Sequence, residues 1–184
     1  MNAPIASEFL KQWIVSANER DADLLANWNA DLGKYTAIIK DETDSVIDKV
    51  AERLKLIAYS EHYHTDAILY REEDLVPGAG KGWFRGIKVA FEHEHIYDKR
   101  LYQEISHLLI LHSGLSVVVT YPPEGERKDS ELMHYFHSLI RGSPRYNELD
   151  EKENFLLIFG YREPKLEWKG LVYKNAGWKE CLPS

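Results

Sequence analysis

An α/β fold, with a central mixed sheet flanked by helices, is the architecture this sequence predicts. Two observations carry the prediction. Short apolar runs of strand length, such as LSVVVTY at 115–121, recur between amphipathic stretches of helical period. Their order along the chain, helix, helix, strand, strand, helix, strand, helix, strand, strand, is best satisfied by one mixed sheet covered by helices.

From Ser7 onward, Leu10, Trp13, Ile14, Leu24, Leu25 and Trp28 fall near helical spacing, interrupted at 18–23 by Asn and Asp residues, and Gly33 ends the region. Asp44 or Ser45 is the expected N-cap of a second helix, with Val46, Ile47, Val50, Leu54 and Ile57 on its apolar face. Thr65 to Arg71 reads as a strand, and a polar connection rich in Gly and Pro leads to WFRGIKVAFEHEH, the next strand, antiparallel to the first. Leu101, Ile105, Leu108, Leu109 and His112 mark a helix that starts near Tyr97 or Asp98 and is stopped by Gly114. LSVVVTY is the continuous apolar run of a strand covered on both faces, and Pro122 and Pro123 close it. A further helix is expected over Asp129 to Arg141, followed by two strands, NFLLIFGYR and KLEWKGLVYK, with Glu163 and Pro164 as the turn between them.

The chain has 184 residues, enough for one sizeable core, so a single domain over 1–184 is expected. Five Trp, eleven Tyr and six Phe supply apolar anchors and argue against disorder. One cysteine, Cys181, excludes a disulfide framework or a cysteine-based zinc site within the chain. MNAPIASEFLKQW lacks the features of a signal peptide, and no run approaches the roughly 20 apolar residues of a membrane span. A cytoplasmic protein without a membrane partner is therefore expected. The net charge of −7 opposes non-specific affinity for phosphate backbones, although it leaves a local basic groove open.

The segment KVAFEHEH, Lys88 to His95, loads the end of an apolar strand with four ionisable groups. Side chains alternate along a strand, so Val89 and Phe91 point one way while Glu92 and Glu94 share the other face. Their like charges favour a cation between them. Asp66, near the start of the preceding antiparallel strand, is expected beside Glu92. Three carboxylates at one sheet edge are the oxygen-rich setting that Mg2+ takes.

Asp66, then Glu92-His93-Glu94, then an amphipathic helix and LSVVVTY, together resemble the core of the PD-(D/E)xK nuclease superfamily, the restriction-endonuclease-like fold. The resemblance covers about 44–121, leaving a helical N-terminal segment, 1–43, and a C-terminal part, 122–184. It implies a magnesium- or manganese-dependent nuclease acting on DNA. Asp66 and Glu92 would hold the metal, with a main-chain contact from His93 and an acidic helix residue, Glu52, nearby. Glu94 stands where the superfamily has lysine, which puts the orientation of the attacking water in doubt. It could instead accept that water's proton. Lys99, ahead of Lys88 and Arg100, is the candidate for the missing cation, and Gln103 would help frame the site. Lys81, Arg85, Lys88, Arg100 and Gln103 are the candidate nucleic-acid contacts. A homodimer would suit the cutting of two strands.

Other readings stand beside this one. Glutamates on the polar face of a strand are often only solvated. The same scaffold can also serve as a catalytically silent module that binds a protein or nucleic-acid partner. His93 and His95 share a strand face at a spacing that can chelate zinc, with His62 and His64 as further candidates, or they are hydrogen-bonded histidines at the rim of the core. GAGKG at 78–82 lacks the strand-loop-helix context of a phosphate loop and reads as a hairpin loop.

Overall fold

The structure is a computed structural model and describes residues 3–123, 130–162 and 165–184. Seven strands form one mixed sheet in sequential order: β1 (Ile57–His62), β2 (Thr65–Tyr70), β3 (Val89–Glu94), β4 (Leu115–Thr120), β5 (Phe155–Tyr161), β6 (Glu167–Tyr173) and β7 (Trp178–Cys181). β3, β4 and β5 are parallel to one another, and the remaining neighbours pair antiparallel. Parallel neighbours need crossovers. The first is α5 (Leu101–Ile110), between β3 and β4, while α6 (Glu131–Gly142) and α7 (Tyr146–Lys152) lie between β4 and β5.

Strand alternation divides the core in two. Ala67, Leu69, Val89, Phe91, Val117 and Val119 face the N-terminal helices: α1 (Ala6–Asn18), α2 (Asp21–Asn27), α3 (Leu32–Thr36) and α4 (Val46–Arg53). Ala90, Val118, Leu157 and Phe159 face α5, α6 and α7 on the other side. β4 is buried along its whole length, as its unbroken apolar run predicts. Among the described residues, no helix is long and apolar enough to cross a membrane.

Several boundaries differ from the sequence-based expectations, each for a local reason. Gly33 does not end the first helical region but lies within α3, which Asp31 caps by accepting from the Lys34 amide. α3 continues directly into a π-helical turn, Ala37–Asp41, whose wide spacing is seen in the bond from the Glu42 amide to the Ala37 carbonyl. Ser45 is the N-cap of α4 and accepts from the Asp48 amide. Ile57 leaves that helix to open β1, and it is exposed. β3 begins only at Val89, because 78–88 form a loop whose β-pairing is a single bridge between Leu75 and Phe84. α5 starts at Leu101 and ends at Ile110, shorter than expected. α7 and β7 are additions. Asp129 and the Glu163-Pro164 turn lie outside the described residues.

Candidate metal centre

The antiparallel register of β2 on β3 pairs Ala67 with Phe91 and Ile68 with Ala90. One step further along the ladder, Asp66 and Glu92 come together. The Asp66 amide donates to Glu92 Oε2 at 3.2 Å, and the His93 amide donates to Asp66 Oδ2 at 2.7 Å. Two acidic residues far apart in sequence are thus tied together at the C-terminal end of β3, Glu92 through the Asp66 amide and Asp66 through the amide of the next residue on β3, His93.

Lys40, in the π-helical turn, reaches the same place. Its Nζ donates to Asp66 Oδ1 at 2.7 Å. Burial works against the charge on Lys40, but the hydrogen bond and the charge of Asp66 outweigh it and hold the ammonium above its ordinary pKa.

Helix α5 closes the site from the other side. Leu101, Ile105 and Leu108 anchor it to the sheet. Glu104 and His107, one turn apart, border that apolar stripe and face Glu92. His107 Nδ1 lies 3.7 Å from Glu104 Oε2 and 4.0 Å from Glu92 Oε1. One ligand atom from each of the three residues falls within 4.8 Å of the others, which is close enough for a shared metal ion. Among the described residues, this is the one group of three or more His, Cys, Asp or Glu side chains that converges in this way.

The electrostatics of the group are unfavourable without a cation. Glu92 is 1% exposed, and its Oε1 has no hydrogen-bond partner. Burial raises its pKa well above the carboxylate range, and the charges of Asp66 and Glu104 add to the rise. Glu104 is raised as well, first by burial, then by Asp66. Crowding in a poorly solvated place makes Glu92 and Glu104 harder to ionise, and a divalent ion relieves the same repulsion.

Glu94 follows Glu92 on the same side of β3, half-buried, and its Oε1 accepts from the Ile96 amide at 2.7 Å. Its charge contributes to the raised pKa of Glu104, so it belongs to the same electrostatic neighbourhood.

The histidines that follow alternate to the opposite face. The ring of His93 is buried, and its Nε2 is 2.9 Å from the Tyr121 hydroxyl. Burial, reinforced by His95 and Lys40, pushes the pKa of His93 down to about 3. His95 packs against Trp28, Tyr35 and Tyr121. His93 is thus a hydrogen-bonded histidine at the core rim, whereas His95 Nδ1 is buried without a hydrogen-bond partner, and neither residue joins the group around Glu92. His62 lies against Tyr59 and Phe84, whereas the His64 ring stands 6.5 Å from that of His107.

The other expected site residues are dispersed. Glu52 is exposed on α4, a helix that covers the face opposite Glu92. Lys99 is exposed ahead of α5 instead of beginning it, and lines an open groove with Glu131 and Tyr135. Lys88 forms an ion pair with Asp74 at 2.8 Å. The Arg100 guanidinium folds back onto Asp98, at 2.7 Å. Arg85 donates to the Glu73 carbonyl, Lys81 is exposed in the loop, and Gln103 is exposed with its amide 3.4 Å from the Tyr102 hydroxyl.

Three residues at the site, Lys40, Glu104 and His107, are not among those the sequence predicts. For the latter pair a signal existed, two ionisable groups three residues apart bordering the apolar stripe of α5. Lys40 had none, because its position depends on a π turn. No protein-family model, curated protein or solved structure matches the chain.

Proposed function

We propose that the chain is a nuclease of restriction-endonuclease-like architecture, hydrolysing phosphodiester bonds in DNA with Mg2+ or Mn2+. The observation that carries the reading is the pairing of Asp66 with Glu92 at the end of β3, where Glu92 is buried with one oxygen lacking a hydrogen-bond partner. A carboxylate in that condition fits a cation better than it fits solvent. Asp66 and Glu92 would hold the ion, and both Asp66 oxygens retain lone pairs beyond the bonds they already accept.

A divalent ion bound there supplies charge neutralisation at the phosphate and a more acidic water. The residues of the chain do the rest. Glu94, on the same strand side as Glu92, accepts the proton of the attacking water. Lys40, fixed on Asp66, is the cation that the motif position lacks and stabilises negative charge growing on the phosphate. A pocket of about 500 Å³, lined by Glu61, Tyr63, His64, Thr65 and Asp66, gives Asp66 an opening to solvent through which a phosphate could approach.

A second reading has its own observation. Both oxygens of Asp66 are already engaged, by Lys40 and by the His93 amide, as they would be in a silent scaffold that binds a partner. One experiment separates the two. Supercoiled plasmid and single-stranded oligonucleotides are incubated with the protein and Mg2+ or Mn2+. Cleavage that needs the metal and disappears in Asp66→Asn supports the nuclease. Intact substrates under every metal condition favour the silent module.

A further inference from the structure

We propose that Glu92, Glu104 and His107 form a site for a first-row transition-metal ion of the Mn2+ or Zn2+ class, in which His107 Nδ1 discriminates against Mg2+. The inference rests on the metal-centred reading of this region and shares Glu92 with it, but the other ligands come from α5 instead of from β2.

Three features of the geometry point to it. The first is the donor set. Magnesium demands oxygen ligands and keeps several waters, whereas imidazole nitrogen suits manganese, iron and zinc. A position offering two carboxylates and one imidazole is therefore biased toward the transition metals. Two carboxylates also balance the charge of a divalent ion, which matters most at the buried Glu92 end of the site.

The second is orientation. The His107 side chain is 42% exposed, yet its Nδ1 is buried without a hydrogen-bond partner. The ring therefore turns one nitrogen inward while its outer edge meets solvent, leaving a route for an ion to enter. Glu92 Oε1, on a side chain that is 1% exposed, is the opposing buried atom without a partner.

The third is spacing. Ligands at about 2.1 Å from one ion stand about 3.4 Å apart in a tetrahedron. The separations from His107 Nδ1, 3.7 and 4.0 Å, lie a few tenths of an ångström above that value, and all three ligand atoms fall within 4.8 Å of one another. Helix α5 fixes the backbone of two ligands and β3 that of the third, so the site sits on rigid elements.

Calorimetric titration of the full chain with Mn2+, Zn2+ and Mg2+ tests this, together with His107→Gln, Glu104→Gln and the exposed control His112→Gln. Wild-type protein should bind Mn2+ at least about tenfold more tightly than Mg2+. His107→Gln should weaken Mn2+ by about tenfold or more while shifting Mg2+ by less than about threefold. Glu104→Gln should weaken Mn2+, and His112→Gln should match wild type. With Co2+ as the probe, a paramagnetically shifted imidazole proton should be present in wild type and absent from His107→Gln. Equal affinities for Mn2+ and Mg2+, or Mn2+ binding that is indifferent to both the His107 and Glu104 changes, would overturn the proposal. Tight Mn2+ binding through His107 without any phosphodiester cleavage would remove the nuclease reading and leave this one. Cleavage supported equally by Mg2+ in wild type and His107→Gln, with no preference for Mn2+ binding, would do the reverse.

Discussion

Lys40 and Asp66 are joined by a 2.7 Å ion pair across 26 positions of sequence, so that a π-helical turn delivers an ammonium to the second residue of β2. The lysine side chain is 12% exposed and the aspartate 22%, so the pair is poorly screened by water. An ammonium beside the carboxylate also opposes a second cation there. Its effects on binding and on chemistry should therefore have opposite signs.

Lys40→Met should leave Mn2+ affinity unchanged or tighter, because a competing positive charge is removed. DNA cleavage should fall by about 10²- to 10³-fold if the ammonium stabilises charge in the transition state. Calorimetry and single-turnover cleavage measure the two quantities separately. Loss of metal binding with cleavage unaffected would show that the assigned role is mistaken.

Glu92→Gln removes a carboxyl that is held protonated in the metal-free protein and replaces it with a neutral isostere. Thermal unfolding without metal at neutral pH should therefore show stability within about 1 kcal/mol of wild type, or higher, since the glutamine does not have to take up a proton in order to be buried. The rise in melting temperature that Mn2+ gives wild type should be absent. A large loss of stability without metal would mean that Glu92 is a structural group.

Tyr121→Phe deletes the hydroxyl that meets His93 Nε2 at 2.9 Å and leaves a buried ring nitrogen unpaired. A stability loss of about 1 to 3 kcal/mol is expected, measured by denaturant unfolding. Metal affinity should not change, because the His93 ring lies on the opposite face of β3 from Glu92. A drop in Zn2+ affinity would instead return His93 to the ligand set.

Asp74 gives the pH prediction. Burial raises its pKa, but the Lys88 ammonium and the Arg71 amide, which donate to it, outweigh burial and leave it below the ordinary value. Its folded pKa is lower than the unfolded one, so its contribution is fully present above the unfolded value of about 4 and is lost as pH falls through the folded value. Lys88→Met should cost about 1 to 3 kcal/mol at pH 7, and the deficit relative to wild type should shrink under acid. DNA affinity should be unaffected, since Lys88 is spent on Asp74. Denaturant unfolding from pH 7 to pH 3, with a filter-binding assay, checks both.

How far the sequence could be read depended on where burial imposes a pattern. β4 is buried throughout, and its apolar run marks it plainly. α4 announces itself through Ser45 and the spacing of Val46, Ile47 and Val50. β1 leaves no apolar signal because it is an edge strand with no buried residue. The turn that pairs it with β2 uses Tyr63 and His64, both at positive φ, where Asn-Gly would have been the signal. The proximity of Asp66 to Glu92 followed from strand order and period two. The helix-borne partners did not, since they depend on how α5 and the π turn are rotated against the sheet. Distances set by tertiary packing leave no local trace in composition or periodicity.

The central claim is that acidic side chains from β3 and its neighbours share a divalent ion, and anomalous diffraction from crystals grown with Mn2+ tests it most directly. The account predicts a peak within about 2.2 Å of a Glu92 carboxylate oxygen, with Asp66, or Glu104 and His107, completing the contacts. Crystals saturated with Mn2+ that show no peak at Glu92, or that bind the ion only at surface carboxylates elsewhere, would contradict it.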